Sequence, residues 1–277
     1  MDRQSKKFIA PGSWFSLRYP SGWSEFEDME ESFLFYNPEK WSGNFRISAF
    51  RSGDRQYAEK SIREELKQNG QAEKVNLAGW ECAYGKETFQ EEGTYYTTHL
   101  WITGKGNLLF ECSFTVPMGG DAQPAEKIIE SLEICVKEGF SKEIIPVRVL
   151  EIGLINEGYE WTSATVKKIL KKDFMGVAAD IPRIQQVMET GNFKSGQKEV
   201  WQSLGIAFGA ILVNEIDGME WVTVVDGSQE YPALRYEETD ILIRPAEMIW
   251  EKVKNQQHCI LSEEFDCIKK KVEELYK

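Results

Sequence analysis

The spacing of hydrophobic positions in the first half of this chain changes from a strand period to a helix period and back. Residues 14–50 form short runs of alternating apolar and polar side chains, such as Trp14–Tyr19, and this period of two predicts strands. Ala58, Ile62 and Leu66 then recur four residues apart, which predicts a helix that ends at Asn69-Gly70. Further strands are predicted at residues 73–77, 80–88, 95–103 and 107–116, followed by a helix that carries Ile128, Ile129 and Leu132.

The second half begins with helical spacing and then changes to strands. Helices are predicted at residues 163–172, 181–190 and 196–215, strands at 221–225, 231–236 and 240–243, and two closing helices that begin near Pro245 and Ser262. Asp226-Gly227 is typical of a tight turn between two of these strands. We therefore expect an α+β protein. An N-terminal antiparallel sheet flanked by helices precedes a smaller C-terminal α+β domain of helices, a three-stranded antiparallel sheet and further helices.

The length of 277 residues is enough for about two domains. We expect a first domain over residues 1–138 and a second over residues 159–277. Residues 139–158 are interpreted as an apolar linker or bridging segment, because the run Ile144–Leu150 is too aliphatic for a disordered tether.

Residues 95–116 are expected to form a hairpin in which each side chain has a definite face. If Thr103 lies opposite Asn107, Leu100 faces Phe110 and a largely apolar core face results. The same face pairs Thr98 with Cys112 and Tyr96 with Phe114. The same register places His99 opposite Glu111 and puts Trp101 on a second, more polar face.

The predicted pair of His99 and Glu111 has two interpretations. A carboxylate beside an imidazole can support general-base catalysis, but it equally forms an ordinary cross-strand pair. We favour the cross-strand pair because no serine or cysteine nucleophile motif accompanies it, and we expect no catalytic residues. The chain contains nine tryptophans, which form either core positions or a partner surface. Trp41 lies in the polar loop of residues 37–43, and together with Trp101, His99 and Glu111 it is a candidate for binding a partner.

Charge and composition reduce the number of possible partners and functions. The net charge is -12, so nucleic acid and anionic membranes are poor partners, whereas a basic protein would be attracted. The longest apolar run, residues 206–213, is too short to span a membrane, and no signal peptide is expected at the start. Gly205 and Gly209 within this run predict close helix packing, since they match no phosphate-binding motif.

The five cysteines, among them Cys135, contain no CxxC motif, and there are only two histidines. Metal sites need about four clustered ligands. We therefore expect no metal, no cofactor and a reducing compartment, the cytoplasm.

The block Trp14–Trp23, followed by Phe33–Tyr36 and Phe45–Phe50, resembles the start of PsbP-like domains. Ile129–Leu132 is similar to their closing helix, so the resemblance covers about residues 8–136. The second half, from Trp221–Asp226 to Trp250, resembles a bacterial domain of uncharacterised function. The resemblance implies a two-domain bacterial protein of uncharacterised function, with a non-enzymatic module that binds proteins. It transfers no binding residue, since partners differ within the family.

We therefore expect a non-catalytic protein-binding module in a bacterial cytoplasm: an adaptor, a secretion chaperone or an immunity-type neutraliser. The alternative is a small-molecule binder or weak hydrolase with a site between the two domains. A homodimer that pairs through an open sheet edge is a third possibility.

Overall fold

The computed structural model describes residues 5–29, 31–134, 142–227 and 229–275. The chain forms two compact units, unit 1 over residues 1–140 and unit 2 over residues 141–277. The predicted boundary at residues 138–139 and Cys135 lie outside the described residues.

Unit 1 contains ten strands and two helices among the described residues. The strands are β1 (Ser5–Ile9), β2 (Phe15–Pro20), β3 (Ser24–Met29), β4 (Ser32–Tyr36), β5 (Asn44–Arg51), β6 (Glu73–Leu77), β7 (Trp80–Glu91), β8 (Thr94–Lys105), β9 (Leu108–Pro117) and β10 (Glu133–Ile134), and the helices are α1 (Tyr57–Gln68) and α2 (Gln123–Glu130). Seven strands form a large antiparallel sheet in the order β3-β4-β5-β9-β8-β7-β6. Strands β1, β2 and β10 form a separate small sheet.

One face of the large sheet packs on the small sheet and on α2 to form the core of unit 1. Phe8, Phe15 and Tyr19 of the small sheet join Ile128 and Ile129 of α2 in one buried cluster. The large sheet contributes Phe33, Phe35, Phe45, Ile47, Trp101, Phe110 and Phe114 to the same cluster. The predicted antiparallel sheet flanked by helices is therefore confirmed for this half.

The opposite face of the large sheet is only partly covered. Helix α1 packs on β7, β8 and β9, with Ala58 and Ile62 buried beneath it. Many of the remaining described positions on this face are half-buried or exposed, including Leu100 at 37% and Phe89 at 41% of their full accessible area. We refer to this face as the open face.

The β8–β9 hairpin has a different register from the one that the sequence predicts. Lys105 pairs with Leu108 across the two-residue turn Gly106-Asn107, and Gly106 adopts the positive φ of 64° that a glycine-led hairpin turn requires. The predicted register assumed a three-residue loop, and it is wrong. As a result His99 lies opposite Phe114 and Glu111 lies opposite Ile102.

Unit 2 combines one four-stranded sheet with five α-helices in its described residues. The strands are β11 (Glu143–Pro146), β12 (Met219–Asp226), β13 (Gln229–Tyr236) and β14 (Leu242–Ile243), and the helices are α3 (Val149–Leu170), α4 (Ile181–Thr190), α5 (Lys198–Glu215), α6 (Pro245–Lys254) and α7 (Leu261–Glu274). The sheet order is β11-β12-β13-β14, so β11 adds a fourth strand to the three that were predicted. The predicted end of the last helix at Tyr276 lies outside the described residues.

Helix α5 forms the centre of unit 2. Leu204, Phe208 and Ile211 are fully buried in a cluster to which α4, α6 and α7 also contribute. A Cβ at Gly205 would lie 2.2 Å from the carbonyl oxygen of Pro245, so only glycine allows α6 to approach this closely. The close helix packing predicted from the two glycines of α5 is thereby confirmed.

Candidate binding surface

Five aromatic side chains lie in a row along the open face of unit 1. Phe26 of β3 stacks on Tyr36 of β4, with ring centroids 4.4 Å apart. Farther along, Tyr96 of β8 stacks on Phe89 of β7 at 5.6 Å. Trp41, from the loop between β4 and β5, meets Tyr96 edge to face at 6.0 Å. We name these five residues the aromatic strip.

Asn44 connects the two halves of the aromatic strip. It pairs with Tyr36 across β4 and β5, and its Oδ1 accepts a hydrogen bond of 2.6 Å from Nε1 of Trp41. Trp41 is thereby held against the sheet although 43% of its surface remains exposed. An indole whose polar group is satisfied and whose ring stays accessible is suited to contact with a partner.

The loop that carries Trp41 is shaped by its own side chains. Oδ1 of Asn37 accepts hydrogen bonds from the backbone N–H groups of Glu39 and Lys40, at 2.9 and 3.0 Å. This is the local turn that asparagine favours after a strand. Trp41 therefore extends from an ordered turn, which lowers the entropy cost of binding through it.

The other predicted partner-binding residues do not join Trp41. Trp101 is 1% exposed and lies in the core, where its ring packs against Tyr84 at 5.4 Å. His99 lies on the same core-directed side, with its ring 5.9 Å from that of Trp101. Glu111 is exposed on the open face. The predicted pairing of His99 with Glu111 is wrong, because the two side chains lie on opposite faces of the sheet.

His99 has a tyrosine partner instead of a carboxylate. The Tyr84 hydroxyl lies 2.7 Å from Nδ1 of His99, at hydrogen-bonding distance. Burial lowers the pKa of His99, and the nearby Lys86 lowers it further, while Asp121 acts in the opposite direction. Burial raises the pKa of Tyr84. Both changes favour the neutral forms, so the contact is a hydrogen bond between uncharged groups and not an ion pair.

The described parts of the chain hold no group of three or more metal-binding side chains. Cys82, Cys112 and Cys259 are free and buried, and burial raises the pKa of each thiol, the opposite of what a reactive cysteine requires. Among the residues described, no helix has the length and apolar character that a membrane crossing needs.

The sequence indicated Trp41 but not the rest of the aromatic strip. The predicted register places Tyr96 on the core face opposite Phe114, whereas Tyr96 lies opposite Pro117 on the open face. Phe89 lies beyond the predicted end of its strand, and β7 runs on to Glu91. The glycine-led turn Gly106-Asn107 was the available signal, since a two-residue loop places Tyr96 on the open face.

Comparison with models of protein families assigns the chain to a family. Residues 3–156 match the model described as a domain of unknown function, DUF3805. The chain belongs to the DUF3805 family. Residues 180–265 match a second domain of unknown function, DUF3806. No curated protein matches this DUF3805 chain.

The solved structures that are similar to this chain include a full-length relative and two distant neighbours. The DUF3805 chain is 55% identical to a protein from Bacteroides thetaiotaomicron VPI-5482 of known crystal structure, with a TM-score of 0.88 over 95% of this chain and 97% of that one. It is 11% identical to cyanobacterial PsbP from Synechocystis sp. PCC 6803, with a TM-score of 0.27 over 48% and 93% of the two chains. It is 16% identical to LpqN of Mycobacterium tuberculosis, a protein involved in cell envelope biogenesis, with a TM-score of 0.29 over 48% and 92%. The expected likeness to PsbP-like proteins is present, and at these TM-scores it carries no information on function.

Proposed function

We propose that the protein is a non-catalytic binding module and that the aromatic strip contacts a protein partner. The observation that carries this proposal is Trp41, an exposed indole that an ordered loop and the Asn44 hydrogen bond hold over Tyr96. Binding energy at protein interfaces is concentrated in such tryptophan and tyrosine side chains. The Tyr84–His99 pair supplies no comparable argument for catalysis.

The partner that fits best is a basic protein. The chain carries a net charge of -12, which attracts positively charged surfaces over long range. The exposed ring faces of Trp41 and Phe89 add short-range attraction for lysine and arginine side chains. The free cysteines of the described residues support a reducing compartment, and we propose the bacterial cytoplasm as the place of binding.

Affinity capture with matched variants tests this proposal. The immobilised full chain is compared with a Trp41→Ala/Phe89→Ala variant as bait in lysate of the source organism. We expect a basic protein to bind the wild-type chain and to be lost from the double variant. The purified partner should then bind the purified chain directly, with an affinity that falls as salt rises, because exposed charges are screened.

Phe50→Ala is the matched control. Phe50 is 39% exposed on the same open face, close to the exposure of Trp41 and Phe89, but it lies six residues along β5 from Asn44, or about 20 Å. This variant should keep the partner. Equal loss from both variants would point to general stickiness of the sheet, and recovery of a metabolite without any protein would contradict a protein-binding function.

A further inference from the structure

Unit 2 contains a cavity of about 430 Å³ between α3, α5, β13 and the first turn of α6. Leu154 and Trp161 of α3 form one wall, Ile206 of α5 another, and Tyr231 and Pro232 of β13 a third. The volume lies within the range of roughly 300–1,000 Å³ that small-molecule sites occupy, and mostly apolar walls are typical of such sites.

The charged groups of this cavity are mainly carboxylates. Glu157, Glu199 and Glu247 contribute three carboxylates to its lining. Glu247 is already compensated, because it accepts a hydrogen bond of 2.7 Å from Nε2 of Gln202 and lies 3.9 Å from Nζ of Lys198. Within the described parts of the chain, Glu157 and Glu199 have no ion-pair partner. A ligand with positive charge and hydrogen-bond donors would therefore find two acceptors, Glu157 and Glu199, that are not already engaged in an ion pair with a described residue.

The aromatic wall of the cavity already holds one cation, the guanidinium of Arg244. This guanidinium lies over the Tyr231 ring, 3.9 Å from the ring centroid, in a cation–π contact. Arg244 is the only cationic side chain of the cavity lining among the described residues, against three carboxylates. The lining therefore keeps a net negative charge.

The wall formed by α3 is fixed to the sheet by a buried polar network. Nε of Arg148 donates to Glu230 over 2.9 Å, and the Arg148 backbone N–H donates to Oγ1 of Thr223 over 3.1 Å. The Thr223 hydroxyl in turn donates to Glu151, one turn before Leu154 on the same helix. Positions 154, 157, 158 and 161 share one face of α3, so anchoring its start sets the wall of the cavity. Binding to a preformed cavity requires less ordering of the protein, so less of the binding free energy is lost.

We propose that this cavity binds a positively charged group on an apolar stem, such as the guanidinium or ammonium of an arginine- or lysine-like molecule. The stem packs between Trp161 and Ile206, and the cation meets the carboxylates of Glu157 and Glu199. The same chemistry is carried by a free amine and by the side chain of a bound protein. The site lies in unit 2 and does not depend on the aromatic strip of unit 1.

Calorimetric titration of the full chain with matched probes tests the proposal. Agmatine represents a free amine, and an arginine tripeptide blocked at both ends represents a side chain. The same peptide with citrulline has nearly the same shape but lacks the charge. We expect at least one guanidinium probe to bind about tenfold or more tightly than the citrulline peptide, because charge-assisted hydrogen bonds are the stronger ones. Binding of agmatine alone identifies a free amine as the ligand, and binding of the arginine peptide alone or of both extends the site to side chains.

Variants assign the effect to the cavity. Glu157→Gln/Glu199→Gln should weaken binding about fivefold or more, as expected for exposed carboxylates. Glu160→Gln changes an exposed carboxylate on α3 that does not line the cavity, and it should leave binding unchanged. Trp41→Ala should also leave binding unchanged, which separates this proposal from the proposed function of unit 1. Failure of both guanidinium probes to bind, equal binding of the citrulline peptide, or unchanged binding by the double variant would overturn the proposal.

Discussion

Alanine substitution of two tryptophans in unit 1 should lower its stability by very different amounts. Trp101 is 1% exposed and packs against Tyr84 and His99, so Trp101→Ala opens a cavity in the core. Such substitutions cost about 3–5 kcal/mol. This is a large part of the total stability of a domain, which is about 5–15 kcal/mol. Trp41 is 43% exposed, and its removal loses one aromatic contact and one exposed hydrogen bond. We expect a cost below about 1.5 kcal/mol.

Thermal unfolding followed by circular dichroism checks both values in the full chain. At about 2–4 °C per kcal/mol for a domain of this size, Trp101→Ala should lower the Tm of unit 1 by roughly 6–20 °C and Trp41→Ala by less than about 6 °C. Calorimetry should resolve unit 1 from unit 2, because two units need not unfold together. If Trp101→Ala does not fold, Trp101→Phe gives a smaller loss of the same sign. Equal losses at the two positions, or a larger loss at Trp41, would refute the division into core and surface.

Two further predictions concern the His99 environment and the α5–α6 contact. Burial lowers the pKa of His99, so as the pH falls the imidazole is protonated in the unfolded chain before it is protonated in the folded chain. The contribution of His99 to stability should therefore be largest above about pH 6.5 and decrease as the pH falls below this value. His99→Gln should flatten the dependence of Tm on pH in this range, and an unchanged slope would contradict the lowered pKa of His99. Gly205→Ala should destabilise unit 2 by about 1–3 kcal/mol, because the added Cβ would lie 2.2 Å from the carbonyl oxygen of Pro245. Chemical unfolding measures this loss of stability. Gly196→Ala is the neutral control, since its Cβ would meet nothing within 4 Å.

Local patterns predicted most elements of the fold, and the exceptions have physical causes. The helix that carries Ala58 and Ile62 appears as α1, and the four predicted strands of residues 73–117 are present as β6 to β9. Helix α3 was predicted to begin at Ser163, whereas it begins at Val149. Its first half lacks a clear apolar stripe because Leu150, Ile152 and Leu154 are all exposed, and it contains Gly153. Helical periodicity cannot be recognised where apolar residues also occupy exposed positions.

Pairing between strands that are distant in sequence is the second reason why some elements were not predicted. Strand β10 has only two residues, and it joins the small sheet by pairing with β2 over more than one hundred intervening residues. Strand β11 joins unit 2 by pairing with β12, although the sequence between them is mostly helical. Neither strand has a local pattern long enough to predict a partner, since such pairings depend on tertiary packing. The residues of the predicted linker from 143 onward therefore lie within unit 2.

The candidate surface depends on the same non-local information, through the register of one hairpin. The predicted register places Phe110, Cys112 and Phe114 of β9 on the core face, where the structure has them, but it pairs them with the even-numbered residues of β8. The two-residue turn moves the pairing by three positions, an odd number, so the odd-numbered residues face the core instead. Trp101 thereby changes from a surface candidate to a core residue, and Tyr96 changes from a core residue to the contact of Trp41. A loop aromatic can be selected from sequence because its exposure follows from local polarity, but an aromatic row across strands exists only once the register is known.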